Sequence, residues 1–310
     1  MGSTGNLLAS VQNVYRRIIT KRWLLAFTAS LLVAFLVSAP VSTQVSTKGT
    51  VLVIVSSKDE MVLQDGKTYK TGYFLNELTV PVKRLQEQGY SVTFANPKGN
   101  KPSMDIHSDS INFFGQNQTE YREVREFHDN LVELKSPRKL KDVVKEGLEQ
   151  YDAVFFPGGH APMQDLIQDP AVRQVLSHFH QTGKPTALIC HGPISLIAAM
   201  PEADAFVRSL KQGNSQKAAE LASGWQYEGY NMTIFSTEEE QITESDQLGG
   251  EMLFYPEAAM KMAGGEIQVA QPWSSNVVQD RELITGQNPF SDNTLAETLL
   301  SAIAQKKAMK

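Results

Sequence analysis

The sole cysteine of the 310 residues, Cys190, is followed at once by His191, Gly192 and Pro193. A thiol beside an imidazole is a nucleophile and a base: the ring takes the thiol proton, and the thiolate attacks electrophilic carbon. An apolar run, Thr186-Ala187-Leu188-Ile189, leads into the pair, and a second, Ile194-Ser195-Leu196-Ile197-Ala198-Ala199, leads away from it. Strand, sharp turn and helix in that order form a nucleophile elbow, which lifts one side chain clear at the carboxyl end of a sheet. The helix amino-terminus after the turn is expected to favour thiolate. A small buried hydrophobe is the commoner role of a lone cysteine, but packing gives no reason for His-Gly-Pro to follow.

The six histidines are His107, His128, His160, His178, His180 and His191, so none lies downstream of the elbow. A papain-like or glutamine-amidotransferase triad needs its histidine well after the cysteine, and that order is excluded. The base is His191 or an upstream residue such as His160. A general base also needs its second ring nitrogen fixed by a third group. Glu238-Glu239-Glu240, just beyond the apolar run ending at Phe235, can supply that carboxylate, although three consecutive glutamates also describe a solvated loop. Gly158-Gly159 follow the run Ala153-Val154-Phe155-Phe156 and let backbone N–H groups approach a substrate oxygen, where the His191 amide can join them as an oxyanion hole. Glu77 stands in an otherwise apolar segment, with Tyr73-Phe74-Leu75 before it and Leu78 and Val80 after. Exposed, it is an ordinary helix glutamate; buried, it has a raised pKa, stays protonated and can donate a hydrogen bond to a thiolate. His178 and His180 are two apart, on different faces of a helix, and no Cys/His cluster has zinc spacing. Neither metal nor cofactor is expected.

These residues need a frame, and from Gly49 onward the pattern alternates strand and helix. Val51-Leu52-Val53-Ile54-Val55 is a continuous apolar run, the mark of a strand covered on both faces. A helix over Tyr73–Gln88 ends at Gly89, a second strand runs from Tyr90 to Ala95, and residues 97–135 are polar and weakly patterned, an insertion or small cap. Ser136-Pro137 predicts an N-cap and first helical residue for a helix over Arg138–Glu149. Further strands are expected at Ala153–Phe156, at Thr186–Ile189, at Met232–Phe235, and in short pieces at Gln268–Ala270, Val277–Val278 and Glu282–Thr285. Helices are expected at Ala171–Gln181 and from about Thr294 to Ala304. Repeated βα units predict an α/β fold, a doubly wound, mostly parallel sheet with sites at the carboxyl ends of its strands. Residues 49–310 form this domain and residues 1–48 a separate leading segment.

Composition narrows the function class. A net charge of −5 with 20% charged residues gives no concentrated basic face for nucleic acid, and one cysteine excludes an internal disulfide. Arg16, Arg17, Lys21 and Arg22 precede an apolar run from Trp23 to Val37. Such a segment is expected to act as a signal-anchor, with membrane contact through residues 23–39 and the catalytic domain outside the cytoplasm. The alternative is secretion after cleavage near Val37-Ser38-Ala39.

Five motifs then fall together: Thr71-Gly72-Tyr73-Phe74-Leu75-Asn76-Glu77-Leu78, Asn96-Pro97-Lys98-Gly99, Phe156-Pro157-Gly158-Gly159-His160, Cys190-His191-Gly192-Pro193 and Leu283-Ile284-Thr285-Gly286-Gln287-Asn288-Pro289. In combination they resemble the ThiJ/PfpI superfamily over nearly everything after Gly49. The long insertion and the late Thr-Gly-Gln-Asn-Pro resemble its heat-shock chaperone and glyoxalase III branch. The resemblance implies a flavodoxin-like α/β sandwich, a homodimer, Cys190 as nucleophile, His191 as base and Glu77 as the carboxyl beside the sulfur. It implies an acidic third member after Phe235, for which spacing favours Glu240 over Glu239 or Glu238. Gly158, Gly159, His160 and Gly192 become the oxyanion and substrate-binding group, with N–H donors from Gly159 and His191. One departure is Ala161, where the branch has Gly. The implied activity is a cofactor-independent glyoxalase III-type conversion of methylglyoxal to lactate, with a small reactive carbonyl as substrate. Protein or nucleotide deglycation and cysteine hydrolase or peptidase chemistry are the alternatives on the same residues. A membrane-tethered holdase for misfolded protein is the alternative of another class.

Overall fold

Alternation along each central strand explains the core. Val51, Val53 and Val55 point to one face of the sheet and Leu52 and Ile54 to the other; Ala153 and Phe155 part from Val154 and Phe156 in the same way, as do Ala187 and Ile189 from Leu188. Both faces carry helices, so each strand must be apolar throughout. The computed structural model describes residues 47–309. Its main sheet has seven strands: β1 (Gly49–Ile54), β2 (Tyr90–Asn96), β3 (Arg138–Lys139), β4 (Ala153–Phe156), β5 (Thr186–Ile189), β6 (Val277–Asp280) and β7 (Leu283–Gly286). Their spatial order is β6-β7-β5-β4-β1-β2-β3, and every neighbouring pair is parallel except the β6–β7 hairpin. The α/β, mostly parallel expectation is met.

On the face of Val51 and Val53 lie helix Leu75–Glu87, through Leu78, Val82 and Leu85, and helix Asp292–Ala308, through Leu295, Leu299 and Ile303. The opposite face is covered by Leu140–Glu146 and Pro170–Thr182, the latter through Val172, Val175, Leu176 and Phe179. Asp169 caps that second helix by accepting from the backbone of Ala171 and Val172, and Gly183 ends it at φ +58°. Residues 97–135 contain the 3-10 turns Ile106–Ser108 and Ile111–Phe114 and the helices Gln118–Asp129 and Val132–Lys135.

Three expectations change. Arg138 and Lys139 pair with Ala95 and Asn96 as an edge strand, so the helix starts at Leu140 and Ser136-Pro137 is not its cap. The pairing satisfies backbone groups that a local propensity argument had assigned to a first turn. Of Met232–Phe235 only Asn231–Met232 is a strand, joined in parallel to Glu266–Ile267, and residues 268–270 are irregular. Third, the membrane-anchored domain outside the cytoplasm is withdrawn, with its secreted variant. Among the described residues no helix is long and apolar enough to cross a membrane. The longest, Asp292–Ala308, carries Asp292, Glu297, Lys306 and Lys307 in its 17 residues. Residues 23–39, on which the anchor and its membrane contact rested, lie outside the described residues.

Candidate active site

Strand β5 ends at Ile189 and the chain turns on Cys190, whose φ of +59° is uncommon for a residue with a Cβ. Neighbours hold that strained turn. The Cys190 amide donates to the Gly286 carbonyl at the end of β7 (2.8 Å), and its carbonyl accepts from the Phe235 amide (3.0 Å). Gly192 lets the turn close, because a Cβ there would come within 2.6 Å of the Phe156 carbonyl oxygen. The run that follows, Gly192–Ala199, is a fully buried 3-10 helix.

Cys190 is only 3% exposed, and burial pushes its thiol well above the ordinary range; nearby Glu77 adds to the rise, and the Gly159 backbone amide works against it. Desolvation therefore outweighs the help expected from the helix terminus, and the adjacent imidazole must take the proton. That neighbour is His191, whose Nδ1 lies 3.2 Å from Sγ. Its Nε2 is 2.7 Å from Oε2 of Glu240. A carboxylate accepts only, so Nε2 carries the hydrogen and Nδ1 presents its lone pair to the thiol.

Glu240 sits on a short helix, Thr237–Thr243, capped by Ser236 and Glu239 in a capping box. Its other oxygen, Oε1, is 2.7 Å from Nε2 of His160, so one buried carboxylate serves two imidazoles whose ring centres are 4.0 Å apart. Burial opposes the charge on Glu240, but His160 and His191 outweigh it and hold the carboxyl far below the usual range. Burial also opposes charge on His160, and there Glu240 prevails and its pKa rises. His191 goes the other way: burial lowers it, and so does neighbouring His160. These directions favour charge on His160 and Glu240 and the neutral form of His191, the form that can act as base. Among the described residues, these three have ligand atoms within 4.8 Å of one another and could hold a metal ion. As arranged, hydrogen bonds use the Nε2 of each imidazole and both carboxylate oxygens.

Glu77 approaches Cys190 from helix Leu75–Glu87 and has no exposed surface. Burial pushes its pKa up to about 8, an effect that the Cys190 thiol and the Gly158 amide only partly offset. At neutral pH Glu77 is therefore largely protonated, an acid beside the sulfur rather than a repelling charge. Gly158 makes the approach possible: a Cβ there would stand 2.4 Å from Glu77 Oε2 and 2.6 Å from Cys190 Cβ.

Cys190, His191, Gly159 and His160 open onto one cavity of about 20 Å³, walled by Phe74, Phe113, Phe235 and Trp273. The sequence-predicted residues thus divide. Cys190, His191, Glu240 and Glu77 come together, and Gly159 and His160 reach the cavity wall. Gly158 and Gly192 do not; they serve close packing beneath it. Glu238 has no part in the cluster. Five lining residues escaped sequence reasoning: Asp105, Phe113, Thr243, Gln247 and Trp273. Asp105 is buried and accepts from Tyr69 Oη (3.1 Å), Thr71 Oγ1 (3.1 Å) and the His107 amide (3.0 Å). Its side-chain partners, Tyr69 and Thr71, come from a distant segment, so no local spacing marks it. Gln247 lies on the π-helical turn Glu244–Leu248, a rare element that often occurs at functional sites.

Comparison with known proteins gives the family and the fold. A family model described as ThiJ/PfpI family-like matches residues 69–237. The protein/nucleic acid deglycase HchA of Staphylococcus aureus is 27% identical over 269 residues, covering 84% of this chain and 82% of that protein. Among solved structures, the rapid encystment protein of Francisella tularensis (TM-score 0.62, 23% identity, 82% of this chain and 99% of that one) shares the fold. So does glyoxalase III of Candida albicans, with a TM-score of 0.59 and 22% identity over 82% of this chain and 97% of that one. On the matched residues, the elbow and the sheet, the chain belongs to the ThiJ/PfpI family.

Proposed function

We propose that the protein is a cofactor-independent enzyme of the glyoxalase III type, converting methylglyoxal to lactate. The observation that carries this reading is the thiol held between the His191 imidazole and the buried Glu77 carboxyl at a cavity of about 20 Å³. One water needs about 10–15 Å³ on this measure, so the site suits small molecules.

The reaction follows from the groups present. His191 Nδ1 takes the Cys190 proton as Sγ adds to the aldehyde carbon, and the carbonyl electron pair moves to oxygen. The Gly159 amide, which bears on the Cys190 thiol, is the donor proposed for that developing charge, an interaction worth ~3–4 kcal/mol per donor where such groups have been removed from other enzymes. Protonation of the oxygen gives a hemithioacetal. Loss of the proton on the former aldehyde carbon gives an enediol, and reprotonation at the neighbouring carbon gives a thioester. Water then releases the hydroxy acid and restores the thiol. The substrate's two carbons exchange oxidation levels, so no outside oxidant enters. Glu240 keeps the His191 ring oriented, and Glu77 supplies and retrieves a proton at the sulfur side.

A second reading, deglycation, is favoured by the similarity to HchA over most of the chain. It uses the same thiol and base on the adduct of an aldehyde with an amine. Hydrolysis of other acyl compounds would also use them. A holdase has less behind it, since the large exposed apolar side chains among the described residues (Val62, Ile106, Val132, Val269 and Met309) belong to five separate segments.

The test is lactate formation from methylglyoxal by the full chain without glutathione. Turnover is expected, and it should vanish in Cys190→Ala. Undiminished turnover in that variant would overturn the proposal.

A further inference from the structure

The strongest unexplained feature beside the cavity is the loop after Ile267. Trp273 sits on it at φ +63°, a conformation that a bulky residue adopts only under constraint. The constraint is visible. Glu239, with no exposed surface, accepts five hydrogen bonds: from the Trp273 amide (2.8 Å) and Asn288 Nδ2 (2.8 Å) on Oε1, and from the Ser236 amide, Ser236 Oγ and Gln287 Nε2 on Oε2. Gln287 grips the same loop at Ala270, accepting from its amide at 2.7 Å and donating to its carbonyl. Asn288 donates to the Ser274 carbonyl at 2.8 Å. The side-chain bonds of the Gln-Asn pair after β7 are thus largely spent on fixing one loop, and that loop delivers one aromatic ring. The Trp273 indole stands edge-on to Phe235 (5.8 Å), whose ring lies against the His191 imidazole (4.6 Å), and it forms part of the wall facing Cys190.

We infer that Trp273 is the specificity-determining residue that limits the size of carbonyl reaching Cys190, and that Glu239, with Gln287 and Asn288, is its positioning clamp. The inference rests on the reading of Cys190 as a nucleophile toward small carbonyl compounds. Glutamate is needed because both its oxygens accept. A glutamine would turn one donor toward groups that themselves donate, releasing either the Trp273 amide or Gln287.

A single cysteine makes the test direct, because every alkylation event reports on Cys190. The full chain and its Trp273→Ala, Trp273→Phe and Glu239→Gln variants are treated with iodoacetamide and with N-benzyl iodoacetamide, and the ratio of the bulky to the small rate is compared. In Trp273→Ala the ratio should rise at least about tenfold, the scale on which a pocket of fixed shape discriminates. Trp273→Phe should stay near the parent and Glu239→Gln should shift in the same direction as Trp273→Ala. Acrylamide quenching of tryptophan fluorescence should increase in Glu239→Gln, and that increase should vanish when Trp273→Phe is added. A ratio within about twofold of the parent in Trp273→Ala that unfolds cooperatively would overturn the inference. If Glu239→Gln does not fold, Trp273→Ala decides alone. The parallel ratio of turnover on phenylglyoxal and methylglyoxal separates the two levels. A raised alkylation ratio with no turnover of either aldehyde keeps the size limit and removes the glyoxalase reading. Turnover of methylglyoxal with both ratios unchanged does the reverse.

Discussion

Glu77 and Glu240 flank the same Cys190–His191 pair, both without exposed surface, and their carboxyls are driven in opposite directions. Glu240 meets an imidazole nitrogen at 2.7 Å on each oxygen and is held ionised. Glu77 meets no cation; burial dominates, and its pKa is pushed up to about 8. Burial alone sets neither outcome. What decides is whether a partner able to carry positive charge was buried with the carboxyl. Two carboxyls with pKa values driven apart identify an acid and an orienting base partner. Here the acid stands beside the sulfur and the anion behind the histidine.

Removing the charge from the anionic side should have the largest effect. Glu240→Gln leaves His160 and His191 sharing an amide, which can accept at one position only and misorients the ring. By analogy with orienting carboxylates in other triads, kcat should fall by about 10³–10⁴-fold with little change in KM. Steady-state kinetics on the full chain would check this, and a fall of under about tenfold would dissolve the contrast between the two glutamates.

The acidic side depends on space. Gly158→Ala forces a Cβ into the gap between Glu77 and Cys190, where atoms now stand 2.4 and 2.6 Å away. Backbone and carboxyl must move apart, so kcat should drop by about 10²-fold and the thermal midpoint should fall, since misplacement by about 1 Å is costly. Calorimetry and kinetics measured together would show whether the two losses appear jointly.

Glu77→Gln should have the smallest rate effect, about tenfold, because the amide still donates a hydrogen bond near the sulfur. Its signature is in the pH profile. Glu77 must be protonated to act, so parent activity should fall as pH rises through about 8, and that limb should disappear in Glu77→Gln. Stability follows the same sign. The folded pKa lies above the ordinary 4.5, so the folded state holds a proton that the unfolded state has lost, and stability declines as pH rises from about 4.5 through about 8. The glutamine variant should show a flatter dependence in denaturant titrations across that range.

Much of this frame was legible because its causes are local. The run Val51–Val55 had to be doubly covered, and Gly-His after a strand marked the neighbourhood of the site. Glu77 among apolar residues read equally as a buried carboxyl or an exposed helix glutamate, and packing decided between them. What stayed hidden depends on contacts between distant segments. Glu239 was one of three equivalent glutamates until its partners arrived from 34 to 49 residues away. Trp273 gave no sign of φ +63°, a conformation imposed by those partners. Asp105 faces the cavity only because Tyr69 and Thr71 fold over it. Arg138 and Lys139 read as a helix start because Ser-Pro before them is a strong local signal, and an edge strand pairs with something the local signal does not contain. The thiol illustrates the same limit, since the turn was evident and the cost of its burial was not.

The most direct measurement is an infrared titration of the protonated carboxyl C=O stretch in the full chain and in Glu77→Gln, from about pH 6 to about pH 10, where ordinary carboxyls are already ionised. The account predicts a band that disappears with a midpoint of about 8 in the parent and is missing from the variant, distinct from the band of buried Asp292, whose carboxyl is pushed up only to about 6. No band with a midpoint of about 8, or one with that midpoint that survives Glu77→Gln, would contradict a protonated acid beside Cys190.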